Sequence, residues 1–259
     1  WELTDANPAV DLTLFLNRNF AIGTLAFCLG YAVFFANTLI LPLWLQTQLG
    51  YTATWAGLIA APSGVVAVII SPLAARLSGK IDARLLATVA FLAFATSYWM
   101  RSNLVTGAAV FDFMAPLLVQ GVAMSVFFLA MVTILLDGIP PQRIPSATGI
   151  SNFARIVAGS FAASIITTAW DRREALHQSR LAEAIGQGMP YQMASEQLQK
   201  LGATSTQAAA AITRQMVGQA YLLASTDLFR VSAWLCAAMV VIVWFTRRPR
   251  GGGGHVAAD

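Results

Sequence analysis

Charge is what this sequence has least of. Only 11% of its 259 residues are Asp, Glu, Lys or Arg, whereas 57% are apolar and the mean hydropathy is +0.65. A soluble domain commonly devotes about a quarter of its residues to charge, so this composition excludes an ordinary soluble fold and indicates an integral membrane protein. Histidine and cysteine are scarce too, at two each. Cys28 and Cys236 fall inside apolar stretches with no His or Cys nearby, which leaves no basis for a metal site or a disulfide and makes them small apolar filling. His177 and His255 stand alone and read as surface residues. No phosphate-binding loop, activated nucleophile or metal-ligand spacing occurs, so neither enzymatic activity nor a cofactor is expected. The net charge of +4 does not indicate nucleic acid, because the basic residues sit between apolar runs, where membrane topology already accounts for them.

The apolar runs themselves are Phe20 to Leu45, Trp55 to Leu77, Leu85 to Met100, Phe113 to Leu136, Ile144 to Thr168 and Leu228 to Phe245. They predict an all-α membrane protein, a bundle of six transmembrane helices. Pro62, Gly64 and Pro72 predict bends in the second span, tolerated where a helix is lined by protein. Arg18, Arg76, Lys80, Arg84, Arg143, Arg247, Arg248 and Arg250 fall on one side, and the short loops opposite offer only Arg101. The basic side is expected to be cytoplasmic, with both ends of the chain inside. Residues 1–19 then form a cytoplasmic interspan segment, 20–169 the first five spans, 228–246 the last span and 247–259 a cytoplasmic Gly-rich tail. Residues 170–227 become a helical extracytoplasmic insertion, with a stripe of Leu176, Leu181 and Ile185, a break at Pro190, and a cap at Ser205 or Thr206 for a helix through Ile212 and Met216. The sequence starts at Trp1 without a methionine and its first residues read like a loop between spans, so a longer protein is expected.

Asp137 to Thr168 holds a charge where charge is expensive. With Trp170 taken as an interfacial anchor, Arg155 lies about 15 residues in, or roughly 22 Å into an apolar layer of about 30 Å. Such an arginine faces a helix bundle or a watery cavity, or else snorkels back to the headgroups as an anchor. Asn152 shares its helical face, and Gly149, Ala158, Gly159, Ala162 and Ala163 allow close helix approach.

Leu41 to Pro62, LPLWLQTQLGYTATWAGLIAAP, and Leu136 to Ser160, LDGIPPQRIPSATGISNFARIVAGS, resemble signature stretches of the fourteen-span drug:proton antiporters of the major facilitator superfamily, the EmrB/QacA type. The similarity is greatest to its EmrB-type multidrug exporters, and the opening WELTDANPAVDLTLFLNRNF, the helical outer segment and the Gly-rich tail extend it over essentially the whole chain. The resemblance implies the carboxy-terminal six-helix half of a proton-coupled exporter of amphipathic or hydrophobic drugs in the bacterial inner membrane, working by alternating access. The amino-terminal half would be its first partner, and a periplasmic membrane-fusion adaptor with an outer-membrane channel the next, the insertion 170–227 being a docking surface or merely a lid. A turn of Arg76, Gly79, Lys80, Asp82 and Arg84 is similar to the superfamily's cytoplasmic gating loop, although Arg76 stands where the stronger copy has an acid; gating and positive-inside anchoring both remain open for Arg76.

The resemblance also implies that the first, second, fourth and fifth spans line a central cavity and that the third and sixth pack outside. Tyr31, Phe34, Phe35 and Asn37 on the first span, with Gln120, Met124, Phe127 and Phe128 on the fourth, are the candidate drug-binding residues, offering aromatic and thioether surface with sparse amides. Asn152 and Arg155 join the gating turn as candidates for coupling. A proton antiporter needs a carboxylate within the membrane, and every acid here lies at a span end or in a loop, so the main carrier is expected in the absent half, with Asp112 as the local candidate. The alternative is a membrane structural or accessory subunit that transports nothing.

Overall fold

The computed structural model describes residues 11–105, 110–185 and 188–248, and these contain seven α-helices and no strand. They are α1 (Arg18–Thr47), α2 (Ala53–Ser78), α3 (Ala83–Arg101), α4 (Val110–Leu135), α5 (Ile144–Ile185), α6 (Met189–Lys200) and α7 (Ser205–Trp244). All but α6 are long and apolar enough to cross a membrane, one for each expected span. The opening segment up to Val10 and the tail with Arg250, Gly251 to Gly254 and His255 lie outside the described residues.

Polar side chains set the starts of these helices. Asn17 accepts the backbone N–H groups of Asn19 and Phe20 ahead of α1, Thr52 that of Trp55, and Asp82 that of Arg84; each satisfies an orphan donor that hydrocarbon could not. Thr204, one residue before Ser205 and two before Thr206, the expected caps, caps α7 in a reciprocal box with Gln207. Pro62 and Pro72 lie inside α2, which runs unbroken through both.

Helices α5 and α7 differ most from the expected layout. Each continues without interruption past the expected boundary, at Trp170 and Asp227, to 42 and 40 residues respectively. The charges of 171–183 weaken membrane insertion but are good helix formers, so nothing stops the backbone at the edge of the apolar run. Residues 170–227 are therefore the stretches of two long helices farthest from the basic end, joined through α6. Those stretches are fastened together: Trp170 Nε1 donates to Ser225 Oγ at 2.9 Å and its ring lies 4.8 Å from that of Tyr221. Asp227 pairs with His177 at 2.9 Å and with Arg173 at 3.5 Å. Trp170, 4% exposed, is thus packing between two helices instead of an interfacial anchor, and His177 is an interhelical partner instead of a bland surface residue.

In the bundle, α2 packs on α4, α4 on α3, α3 on α7 and α7 on α5, while α1 stands inside this arc against α5, α7, α4 and α2. The arc is open between α2 and α5. Only 11% of the apolar stretch of each is covered within the chain, against 50% for α4. Phe20, Phe27, Phe91, Phe94, Phe127 and Met131 fill the core towards the basic end, and Ile40, Leu45, Phe113, Leu117 and Phe229 fill it towards the distal end. Lipid tails are as apolar as these side chains, so close van der Waals packing carries the association. At Gly121 the fit is so tight that a Cβ would lie 2.4 Å from the Ser63 carbonyl oxygen on α2.

The basic end is held by polar contacts. Buried Asn19 donates to the Asp137 carboxylate at 2.8 Å and accepts the Arg247 N–H at 2.7 Å, joining α1 to the segments that follow α4 and α7. Arg143, just ahead of α5, pairs with Asp11 and Thr13. The hydrogen bond from Thr13 and the Arg143 guanidinium hold the Asp11 carboxyl below the usual carboxylate range.

Candidate functional site

Arg155 turns its guanidinium inward from α5 onto aromatic rings of α1 and α4. Its carbon centre lies 4.4 Å from the Tyr31 ring centroid, 5.5 Å from Phe27 and 5.7 Å from Phe128. The rings' negative faces supply what a carboxylate would otherwise supply, since a cation within about 6 Å of a centroid is attracted by the quadrupole. Asn152 Oδ1 accepts a long contact from Arg155 at 3.4 Å, and the buried Nε hydrogen has no partner. Gly159, one turn further along α5, lets Tyr31 come so close: a Cβ there would sit 2.8 Å from its ring. Tyr31 in turn stacks on Phe35, with centroids 5.7 Å apart and planes 19° apart, and meets Phe34 at 6.0 Å and Phe128 at 6.3 Å.

The sequence candidates therefore divide. Tyr31, Phe34, Phe35, Phe128, Asn152 and Arg155 come together as one half-buried cluster on the α1, α4 and α5 side. Met124 is half-buried against the core, and Phe127 is wholly buried among Phe27, Phe91 and Phe94. Asn37 is buried elsewhere, donating to the Val33 carbonyl at 2.7 Å and to Ser232 Oγ of α7 at 2.9 Å. Gln120 is buried as well and accepts from Arg101. Asp112 is exposed in the first turn of α4.

At the basic end, Arg76, Gly79 and Lys80 are exposed, whereas Asp82 caps α3, contacts Arg84 at 3.9 Å and pairs with Arg248 at 3.2 Å. Asp82 thereby ties the α2–α3 turn to the segment after α7.

Arg101 is the residue that reading the sequence missed. Counted there as a cation of an outer loop, it is 1% exposed, hydrogen-bonded to Gln120 and set 5.5 Å from the Tyr98 ring and 5.7 Å from Phe229. An isolated amide on α4 was the available signal, since buried Gln needs a partner. A cavity of about 910 Å³ also opens at the distal end, where α6 and α7 meet α1 and α4, with Trp44, Tyr51, Phe113, Tyr191, Arg214 and Met216 in its wall. Its size suits a small organic ligand.

The Major Facilitator Superfamily profile matches residues 4–163, well over half of the sequence. The chain belongs to the major facilitator superfamily. Within it, the chain is 41% identical over 256 residues to the multidrug export protein EmrB of Escherichia coli, covering 98% of this chain and 50% of that protein. It is 38% identical over 256 residues to EmrB of Haemophilus influenzae, covering 97% and 50%. It is 39% identical over 261 residues to the fatty acid resistance protein FarB of Neisseria gonorrhoeae, covering 98% and 51%. This superfamily chain thus spans about half the length of the relatives it matches, and α2 and α5 are the spans it leaves least covered.

Proposed function

We propose that this chain is the carboxy-terminal half of a proton-coupled multidrug exporter of the bacterial inner membrane, with both ends in the cytoplasm. It works by alternating access against an amino-terminal half, which covers the open side between α2 and α5. The observation that carries the reading is the half-buried box of Arg155, Tyr31, Phe35 and Phe128: polarisable rings around one cation, on spans beside that opening. Such a surface accepts bulky amphipathic compounds of differing shape, because stacking and dispersion are tolerant where hydrogen-bond patterns are selective. Similarity to proteins named for multidrug export supports the same reading.

Every carboxylate among the described residues sits at a helix end, in a turn, on α6 or on the outer stretches of α5 and α7. The main proton-carrying acid is accordingly assigned to the other half, with Asp112 a local contributor. The gating turn Arg76 to Arg84 works through the Asp82–Arg248 pair, and the outer hairpin receives a periplasmic adaptor that leads to an outer-membrane channel.

The test is flux. The full-length protein, reconstituted in liposomes, should move a neutral or anionic amphipathic fluorescent dye, which the Arg155 guanidinium does not repel, only when a proton gradient is imposed, and Tyr31→Ala with Phe128→Ala should weaken dye binding without loss of insertion. Correctly inserted wild-type protein that shows no gradient-dependent flux would establish the accessory-subunit reading instead.

A further inference from the structure

The seam between α3 and α7 lies in the middle of the helical arc, across from the opening between α2 and α5. With the missing half placed at that opening, as proposed above, this seam faces lipid. Trp99 and Trp234 meet there edge to face, with centroids 6.1 Å apart, and remain 47% and 66% exposed. Beside them Ala95, Ala233 and Ala237 leave a groove of about 320 Å³. Towards the distal end follows a pocket of about 400 Å³ lined by Ser102, Asn103, Thr226 and Arg230. Arg230 precedes Trp234 by four residues, so the two share a face of α7 one turn apart. It is exposed and, among the described residues, pairs with no carboxylate.

We infer that this seam binds one anionic diacyl phospholipid, its phosphate on Arg230 and an acyl chain in the alanine-lined groove beside the Trp99–Trp234 pair. Tryptophans mark the boundary between hydrocarbon and headgroups, and the cation stands one turn beyond them, at headgroup level. Ser102 and Thr226 give their hydroxyl hydrogens to the carbonyls of Trp99 and Leu223, and Asn103 gives one amide hydrogen to Trp99. The guanidinium and the second amide hydrogen of Asn103 are the donors left for a phosphate. Alanines on both helices make room for a chain where larger residues would close the seam.

Native mass spectrometry of the full-length transporter, released from detergent with phosphatidylglycerol or phosphatidylethanolamine added, tests this. The wild-type protein should retain phosphatidylglycerol preferentially, by about fivefold, the weight of one basic side chain at an anionic membrane surface. Arg230→Gln should bring the two lipids to parity, and Ala237→Phe, at a half-buried wall of the groove, should lower both. Equal retention by the wild type, or an undiminished preference in Arg230→Gln, would overturn the site. A dimer mass abolished by Trp234→Ala, with no lipid adduct, would give the seam to a second copy of the chain and overturn it equally. None of these readouts depends on transport, so the lipid site can fail while the exporter reading stands.

Discussion

If the Arg155 box works as a unit, its cation and its rings must be energetically coupled. Tyr31 is the nearest ring at 4.4 Å, and Phe27 and Phe128 stand near the limit of useful attraction at 5.5 and 5.7 Å. Exposed cation–ring pairs contribute about 0.5–1 kcal/mol and desolvated ones about 2. Arg155 is half-buried, so its coupling to Tyr31 should come to about 1–2 kcal/mol, or roughly 5- to 30-fold in a rate or binding constant. A double-mutant cycle isolates that quantity. Arg155→Met, Tyr31→Leu and the double variant of the full-length protein would be compared for dye export at matched abundance and for dye binding in detergent. The double variant should be little worse than the more damaged single one. Arg155→Lys should recover only part of the loss, because an ammonium keeps the charge and loses the planar stack over Tyr31. Normal export by Arg155→Ala at wild-type abundance would refute a transport role, and strictly additive losses would show that ring and cation act separately.

Topology gives a second prediction: in a background lacking Cys28 and Cys236, a cysteine at Ser195 on α6 should react with an impermeant maleimide from outside, and one at Lys80 should not, the reverse pattern inverting the assignment. Gly121→Ala should destabilise the bundle by about 1–3 kcal/mol through overpacking, since its Cβ would meet the Ser63 carbonyl oxygen, whereas Gly149→Ala, with nothing within 4 Å, should leave it intact or firmer. Fluorescence-detected thermal unfolding in detergent checks both, and equal effects would contradict the packing argument. Replacing Glu183 to Gln215 by a Gly/Ser linker in the full-length protein should abolish capture of the periplasmic adaptor; undiminished capture by a correctly inserted variant would place docking elsewhere.

The spans were legible because burial in lipid demands one-dimensional runs of apolar residues, and Phe20 to Leu45 or Phe113 to Leu136 need no partner to be recognised. Of the cluster around Arg155 only the need was legible: an arginine within an apolar run must meet something, but nothing in one dimension says that the rings of Tyr31, Phe27 and Phe128 on two other helices supply it. Arg101 was not legible, because a cation at the end of a span is counted as wet unless Gln120 and Phe229, 19 and 128 residues away, are known to close over it. Trp170 misled in the same way. Its ring is as suited to a helix interface as to a membrane surface, and only Ser225 and Tyr221 decide between them. The lengths of α5 and α7 stayed hidden because hydropathy reports where lipid ends and says nothing of where a helix ends.

Those lengths have a mechanical consequence. From Trp170 to Ile185, α5 runs on for about 22 Å, and with Trp170, Arg173 and His177 fastening the first half of that stretch to α7 it behaves as a stiff lever. When the half rocks by about 10°, a modest domain rotation, the tip of the hairpin sweeps about 4 Å sideways. If the chain is an exporter half as proposed, anything gripping that tip feels its transport cycle directly. By the reciprocity of coupled equilibria, anything that holds the tip still biases the spans towards one orientation, so a partner docked there would set the exporter's pace as well as collect its cargo.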